Sequence, residues 1–297
     1  MRSKRKFSMA IVILVPVISS FLSQSVSANG DQGGLYAHVS PDHEITDEER
    51  GDYIYCTELS DGTVRLDYLP LDLKSKELEI PGSIKLNYGS GETEEKTVTE
   101  IGSRALVQHI KNAYSVSDGL VTGINEISTV TIPACVRKIE ENPFAELIKL
   151  EEIRVEEGND VYQVTDGMLI DAAEGILVAI PRKKTGSLTV PADIKRIGEE
   201  ALAYTGLSEV SLPDGLETIG SQAFAGCDEI HEIRIPSSVT EIGEEAFYMC
   251  GDPMPGSAAL LEMGLIDPEE YPFRILAEAG SAAEAYAKEN SLPVITE

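Results

Sequence analysis

The sequence predicts a repeat solenoid, mainly β, and three observations carry that expectation. The first is a repeated phrase: Ile230, Ile233, Ile235-Pro236, Val239, Ile242-Gly243, Ala246-Phe247 and Cys250 echo Leu207, Val210, Leu212-Pro213, Leu216, Ile219-Gly220, Ala223-Phe224 and Cys227 at a shift of 23 residues. An internal period of this length marks stacked units, none of which buries its apolar face alone. The second is an apolar triad spaced three then two, as in Ile127, Val130, Ile132 and Leu150, Ile153, Val155. Its last pair, at i and i+2, is the pattern of a short strand with one buried face. The third is a proline after the strand, at Pro81, Pro133, Pro191, Pro213 and Pro236, where the missing N–H costs no ladder bond. Stacked in register, the copies place a parallel sheet of short strands along one side of the coil, with turns and short helical pieces elsewhere.

From the N-terminus, residues 1–28 read as a secretory signal peptide. Arg2, Lys4, Arg5 and Lys6 precede an apolar run from Phe7 to Leu22, and the segment closes on Val26-Ser27-Ala28. The run contains Pro16 and dissolves into Ser and Gln, short of the roughly 20 apolar residues that a retained membrane helix requires. No membrane insertion is expected after cleavage, and Leu292 to Glu297 reads as no further anchor. Residues 29–50, polar and aperiodic, are expected to be a flexible lead, and 51–297 to be one repeat domain. That domain divides into an N-terminal hairpin and first divergent repeat (51–126), core repeats (127–250), and a loop with a C-terminal cap (251–297).

Three residues after each proline but the first comes an apolar residue, and three later an isoleucine: Val136 and Ile139, Ile194 and Ile197, Leu216 and Ile219, Val239 and Ile242. These should fill the second wall. Gly102, Gly198, Gly220 and Gly243 then suggest a corner needing positive φ or close backbone approach. A large residue closes each coil, at Leu106, Phe144, Leu202, Phe224 and Phe247. The expected core is therefore Ile132, Ile139, Phe144, Ile197, Leu212, Ile219, Phe224, Cys227, Ile235, Ile242, Phe247 and Cys250. Between Pro81 and Val98 a polar stretch reads as a protruding loop, 82–97. Apolar runs on either side of Asp171–Gly175 read as a β-hairpin inserted in a long coil. Residues 251–271 form a second excursion, and Ser281 to Asn290 a short helix that caps the last coil.

Of four cysteines, Cys56, Cys135, Cys227 and Cys250, the last two fall one coil apart, about 4.8 Å, inside the window a disulfide accepts. Both point into the core, where a free thiol packs as a small hydrophobe. Buried thiols are favoured, with a disulfide as the alternative.

The wording I-x-I-P-x-x-V-x-x-I-G-x-x-A-F-x-x-C resembles the BspA-type leucine-rich repeat proteins of bacterial surfaces and secretions. Tyr53-Ile54-Tyr55 with Ser60-Asp61-Gly62-Thr63 is similar to their N-terminal hairpin, the 35-residue coil with Asp166-Gly167 and Ile180-Pro181 to their long repeat, and Ala279 to Ala287 to their closing segment. The resemblance covers about residues 50–297. It implies a right-handed leucine-rich-repeat coil and roles in adhesion and in binding host or neighbouring-cell proteins.

The chain has 24 Lys and Arg against 51 Asp and Glu, a net charge of −27. Nucleic-acid binding is disfavoured, because it relies on Lys and Arg clusters. So many carboxylates keep an exported protein soluble, and their electrostatic match would be a basic partner or weakly held calcium. No enzyme is expected. Phosphate loops, paired zinc histidines and nucleophile elbows are missing from the sequence. His38 and His43 fall in the lead, and His231 lies four residues after a core cysteine. No catalytic residue, metal site or cofactor is expected.

Outward positions on the sheet form the rows Thr129, Glu152, Ser187, Glu209, Glu232 and Thr131, Arg154, Thr189, Ser211, Arg234. Stacked rows of this kind are where solenoids present ligand contacts. The candidate binding residues are Arg154, Arg234, Glu152, Glu209, Glu232, Thr131, Thr189 and Ser211, with the arginines either contacting a ligand or neutralising Glu152 and Glu232. The expected partner is an extracellular protein, and the expected state a monomer. An envelope-associated structural role and a carbohydrate-binding module are the alternatives, the latter poor in aromatic platforms, with no Trp and 6% aromatics.

Overall fold

The computed structural model describes residues 36–39 (backbone only), 53–71, 75–87, 93–103, 105–106, 126–251, 260, 263–267 and 270–297. The leader and most of the 251–271 excursion lie outside the described residues.

Six strands build the N-terminal sheet: β1 (Tyr36–Val39), β2 (Ile54–Glu58), β3 (Val64–Tyr68), β5 (Ser83–Asn87), β6 (Thr93–Ile101) and β8 (Lys138–Ile139), in the order β3-β2-β1-β5-β6-β8. Because β3 also pairs with β6, the five longer strands close into a ring, which removes their free edges. The expected hairpin is β2–β3. Asp61 fixes its turn by accepting bonds from Thr63 N at 3.0 Å and Thr63 Oγ1 at 2.6 Å, with Gly62 at φ +84°.

Two expectations fail in this region. The stretch read as a flexible lead contains β1, which pairs in parallel with β2 and β5; its four residues are too few for periodicity to show. The stretch read as a protruding loop is the antiparallel hairpin β5–β6. Its inner face carries Ile84, Leu86 and Val98, all buried, with Lys96 opposite Ile84. Lys96, which made the stretch look polar, is itself buried and held by Glu58 at 2.9 Å and Glu94 at 3.0 Å, and these two bonds hold its charged form well past the usual lysine range.

Beyond the ring, the triads form the first wall in three parallel segments. These are β4 (Glu77–Glu79) with β7 (Thr129–Ile132) and β9 (Glu152–Val155); β13 (Thr185–Thr189) with β15 (Gly206–Ser211); and β17 (Glu232–Arg234) with β19 (Arg274–Ala277) and β20 (Val294–Thr296). The apolar residues after each proline also make strands. In the second wall β12 (Ile176–Ala179), β14 (Arg196–Ile197), β16 (Thr218–Ile219) and β18 (Glu241–Ile242) pair in parallel, with Leu177, Ile197, Ile219 and Ile242 in register. At the corner that follows, a Cβ on Gly220 would lie 2.7 Å from Glu199 N and 2.8 Å from the Gly198 carbonyl carbon. Backbone approach, not positive φ, demands glycine there.

The long coil contributes β10 (Tyr162–Thr165) and β11 (Met168–Asp171), joined through Asp166 at φ +51° and Gly167 at φ +82°, the two positive values of a tight hairpin turn. The hairpin expected around Asp171–Gly175 is β11–β12. Met168, Ile170 and Leu177 pack into the C-terminal core cluster, and Leu169, Val178 and Ala179 into the N-terminal one. Burial on both faces explains why these strands read as continuous apolar runs without alternation.

Of the expected core residues, Ile132, Phe144, Ile197, Ile219, Phe224, Cys227, Ile235, Phe247 and Cys250 are buried. Ile139, Leu212 and Ile242 are only partly so. Ile139 opens on a cavity. Leu212 follows β15, the last strand of its sheet segment, and Ile242 sits on the last strand of the second wall, so among the described residues no further paired strand covers either. Cys227 and Cys250 are free thiols, donating to Leu202 O at 3.1 Å and Phe224 O at 3.0 Å.

Helix α1 (Ala282–Glu289) closes the stack. Ser281 caps it by accepting from Glu284 N, Glu284 reaches back to Gly280 N at 2.7 Å, and Ala283 and Ala287 are buried. The caps satisfy N–H groups that have no partner inside the helix.

Candidate functional site

The candidate residues stand on strands whose register fixes their spacing. Thr131 lies opposite Arg154, Ser187 opposite Glu209, and Thr189 opposite Ser211. Glu152, Arg154, Thr189, Glu209, Ser211, Glu232 and Arg234 are exposed and Thr131 is half-buried. Thr129, placed by alternation on the outer row, is buried instead. The two rows are interrupted, since no strand pairing joins β9 to β13 or β15 to β17 among the described residues.

The arginines do different things. Arg154 Nη2 donates to Glu152 Oε2 at 2.6 Å, and this bond holds Glu152 below the usual carboxylate range and Arg154 above its own. The expected partner of Arg234 was Glu232; its actual partner is Glu297, whose two carboxylate oxygens take both terminal guanidinium nitrogens, Nη2–Oε1 at 2.6 Å. Glu232 pairs with Arg274 at 3.4 Å. Sequence spacing suggests the i, i+2 partner, whereas Glu297 reaches Arg234 only because β20 adds a strand beyond β19. Asp214, Arg234, Ser237, Glu278 and Glu297 rim a shallow cavity of about 320 Å³ at this end.

A second cavity, of about 420 Å³, lies over the second wall, away from the expected rows. Its sides include Ile139, Tyr162, Ile176, Ile197 and Ile219, and its rim carries Glu141, Asp171, Glu199, Glu241 and Arg196. It forms where the long coil interrupts the wall: the Tyr162 hydroxyl accepts from Ile139 N at 2.8 Å, taking the place of a strand partner. Burial and the neighbouring Glu141, which shares a hydrogen bond with it, hold Glu199 above the usual carboxylate range. No sequence signal pointed to this site, because its residues come from segments scattered between 139 and 243.

The exposed Tyr204 ring offers no open platform. The Arg182 guanidinium carbon lies 4.4 Å from its centroid, and Gly226 lies so close that a Cβ there would overlap the ring. Among the described residues no group of three or more His, Cys, Asp or Glu side chains is placed to hold a metal, and no helix is long and apolar enough to cross a membrane. His231 is exposed.

The family model for the BspA type leucine rich repeat region matches residues 94–169 and 182–252, in six copies. No curated protein matches the chain. Among solved structures, a leucine-rich repeat protein from Eubacterium ventriosum is similar at 24% identity over 56% of this chain and 37% of its own, with a TM-score of 0.43. A leucine rich cell surface protein from Faecalibacterium prausnitzii shares 18% identity over 67% of this chain and 51% of its own, TM-score 0.39. The pneumococcal vaccine antigen PcpA shares 13% over 82% and 96%, TM-score 0.35. The chain thus spans less than two thirds of the first two.

Proposed function

From the premise that this chain is a BspA-type leucine-rich repeat protein through residues 94–169 and 182–252, we propose that it is a secreted, non-catalytic protein-binding module acting in adhesion or in contact with host or neighbouring cells. The observation that carries this reading is the set of exposed polar side chains on register-locked parallel strands, Arg154, Thr189, Glu209, Ser211 and Glu232. A rigid frame that spaces such groups at strand intervals of about 4.8 Å loses little conformational freedom on binding. Secretion rests on the character of the leader, 1–28. The coil of such a module is right-handed, the sense adopted by parallel strands joined by crossovers.

The test is proximity crosslinking of the leader-free protein against surface proteins of its own culture and of host tissue, beside an Arg154→Glu, Arg234→Glu double variant. A saturable protein partner captured by the unmodified protein and lost in the variant supports a binding module working through the first wall. A partner retained by the variant moves the site elsewhere, and capture of no partner overturns the reading.

A further inference from the structure

We propose that the cavity over the second wall is a docking groove for an extended basic segment of a partner protein, which enters with a lysine or arginine side chain between Glu141 and Glu199. This rests on the protein-binding reading and deepens it by naming the partner's chemistry and a second face on which it docks.

The shape supports the proposal. At about 420 Å³ the cavity falls within the roughly 300–1,000 Å³ of ligand sites. It is built rather than incidental, because the Tyr162 bond to Ile139 N holds it open where the ladder of short strands stops. The lining is mixed. Partly exposed Ile139 and Ile176 and buried Ile197 and Ile219 supply apolar sides, which suit the aliphatic stem of a long basic side chain whose charged head stays at the rim.

The charge supports it as well. Four carboxylates, Glu141, Asp171, Glu199 and Glu241, face one cation, Arg196, which makes no ion pair among the described residues. Asp171 already accepts from Ala173 N and Glu174 N. Glu141 and Glu199 have each other, an arrangement in which two like groups share one hydrogen bond and desolvation opposes the charge. An ammonium or guanidinium placed between them relieves both penalties. A metal ion is the poorer match, since these carboxylates do not converge as metal ligands. Arg196, at the same rim, is free to donate to a carbonyl of the incoming backbone.

The experiment uses a capped peptide of alternating lysine and valine, its Nε-acetylated counterpart, and the leader-free protein, with binding followed by calorimetry. The expected result is saturable binding that acetylation abolishes and that Glu141→Gln, Glu199→Gln weakens about tenfold, as loss of charge-assisted bonds would. Because any lysine peptide is drawn to so acidic a protein, the control is Glu229→Gln, Glu289→Gln, which removes two charges at exposed positions outside the groove and should weaken binding less than about twofold. Thermal melts verify that both variants fold. Equal losses in the two variants, no loss in either, undiminished binding of the acetylated peptide, or no saturable binding would each overturn the proposal. Its failure is distinct from that of the protein-binding reading: there crosslinking captures no partner, whereas here a partner is captured and Glu141→Gln, Glu199→Gln leaves its yield unchanged.

Discussion

Arg234 and Glu297 lock together side by side, both terminal guanidinium nitrogens on both carboxylate oxygens, and so tie β17 to β20 across β19. The pair is exposed, where such contacts add little stability. Glu297→Gln is therefore expected to leave the melting temperature nearly unchanged while freeing Arg234. If the first wall binds a partner through this arginine, crosslinking yield rises in Glu297→Gln and falls in Arg234→Ala.

Phe247 is the keystone of the C-terminal core. Its ring stacks on Phe224 at 5.1 Å and on Phe273 at 5.6 Å, and meets Tyr286 of α1 edge-on at 5.9 Å. Phe247→Ala should cost about 3–5 kcal/mol, read by urea denaturation. Amide exchange should accelerate first in 282–289, because the helix loses its aromatic anchor.

Gly220→Ala drives a Cβ into the backbone of the coil before it, and rigid neighbours cannot yield as a side chain would. The expected loss is about 3 kcal/mol or more. Gly62→Ala meets nothing within 4 Å but sits at φ +84°, so it should cost only about 1–2 kcal/mol. Reversal of this order in paired melts would refute the close-approach account of the corner.

The thiols should separate by burial. Cys56, Cys227 and Cys250 are buried, and Cys135 is half-buried; burial raises the Cys56, Cys135 and Cys250 thiols. A maleimide is expected to label Cys135 alone, slowly, in the native protein, and all four cysteines after unfolding without reductant. Only two labels in the unfolded protein would instead reveal a disulfide.

Tyr162 and Tyr286 are pushed up to about 12, chiefly by burial. The native state holds these protons after an unfolded chain has released them near pH 10, so the contribution is complete below that value and is lost as pH rises from about 10 through 12. The loss should be on the order of 1–2 kcal/mol for each ring. Tyr162→Phe should shallow the alkaline fall in unfolding free energy without removing it. The sign is the same on the acid side: burial, and then the neighbouring carboxylates, hold Glu199 and Glu200 above the usual carboxylate range, so their ionisation weakens stability at neutral pH and this penalty eases as pH falls through their range. Glu199→Gln is expected to stabilise the protein at pH 7.

Much of the architecture was legible because its cause is local and repeated. The i, i+2 pairs of Val130 with Ile132 and Ile233 with Ile235 read as strands, the proline that follows reads as their end, and the 23-residue shift reads as stacking, since one strand in register predicts the next. The helix after Ser281 was legible from its run of alanines, Ala282, Ala283, Ala285 and Ala287. The hairpin β5–β6 was not, because Lys96 disguised a buried position, and β1 offered only four residues to an alternation test.

What the sequence by itself determined is the repeat and the column of residues that closes each coil, for these follow from spacing along one chain. Only the tertiary structure decided which charges meet. Glu297 reaches Arg234 from 63 residues away, and Glu141 meets Glu199 across the inserted strands of the long coil. Contacts between separate coils depend on where insertions displace the stack, and the sum of those displacements is not written in any local pattern.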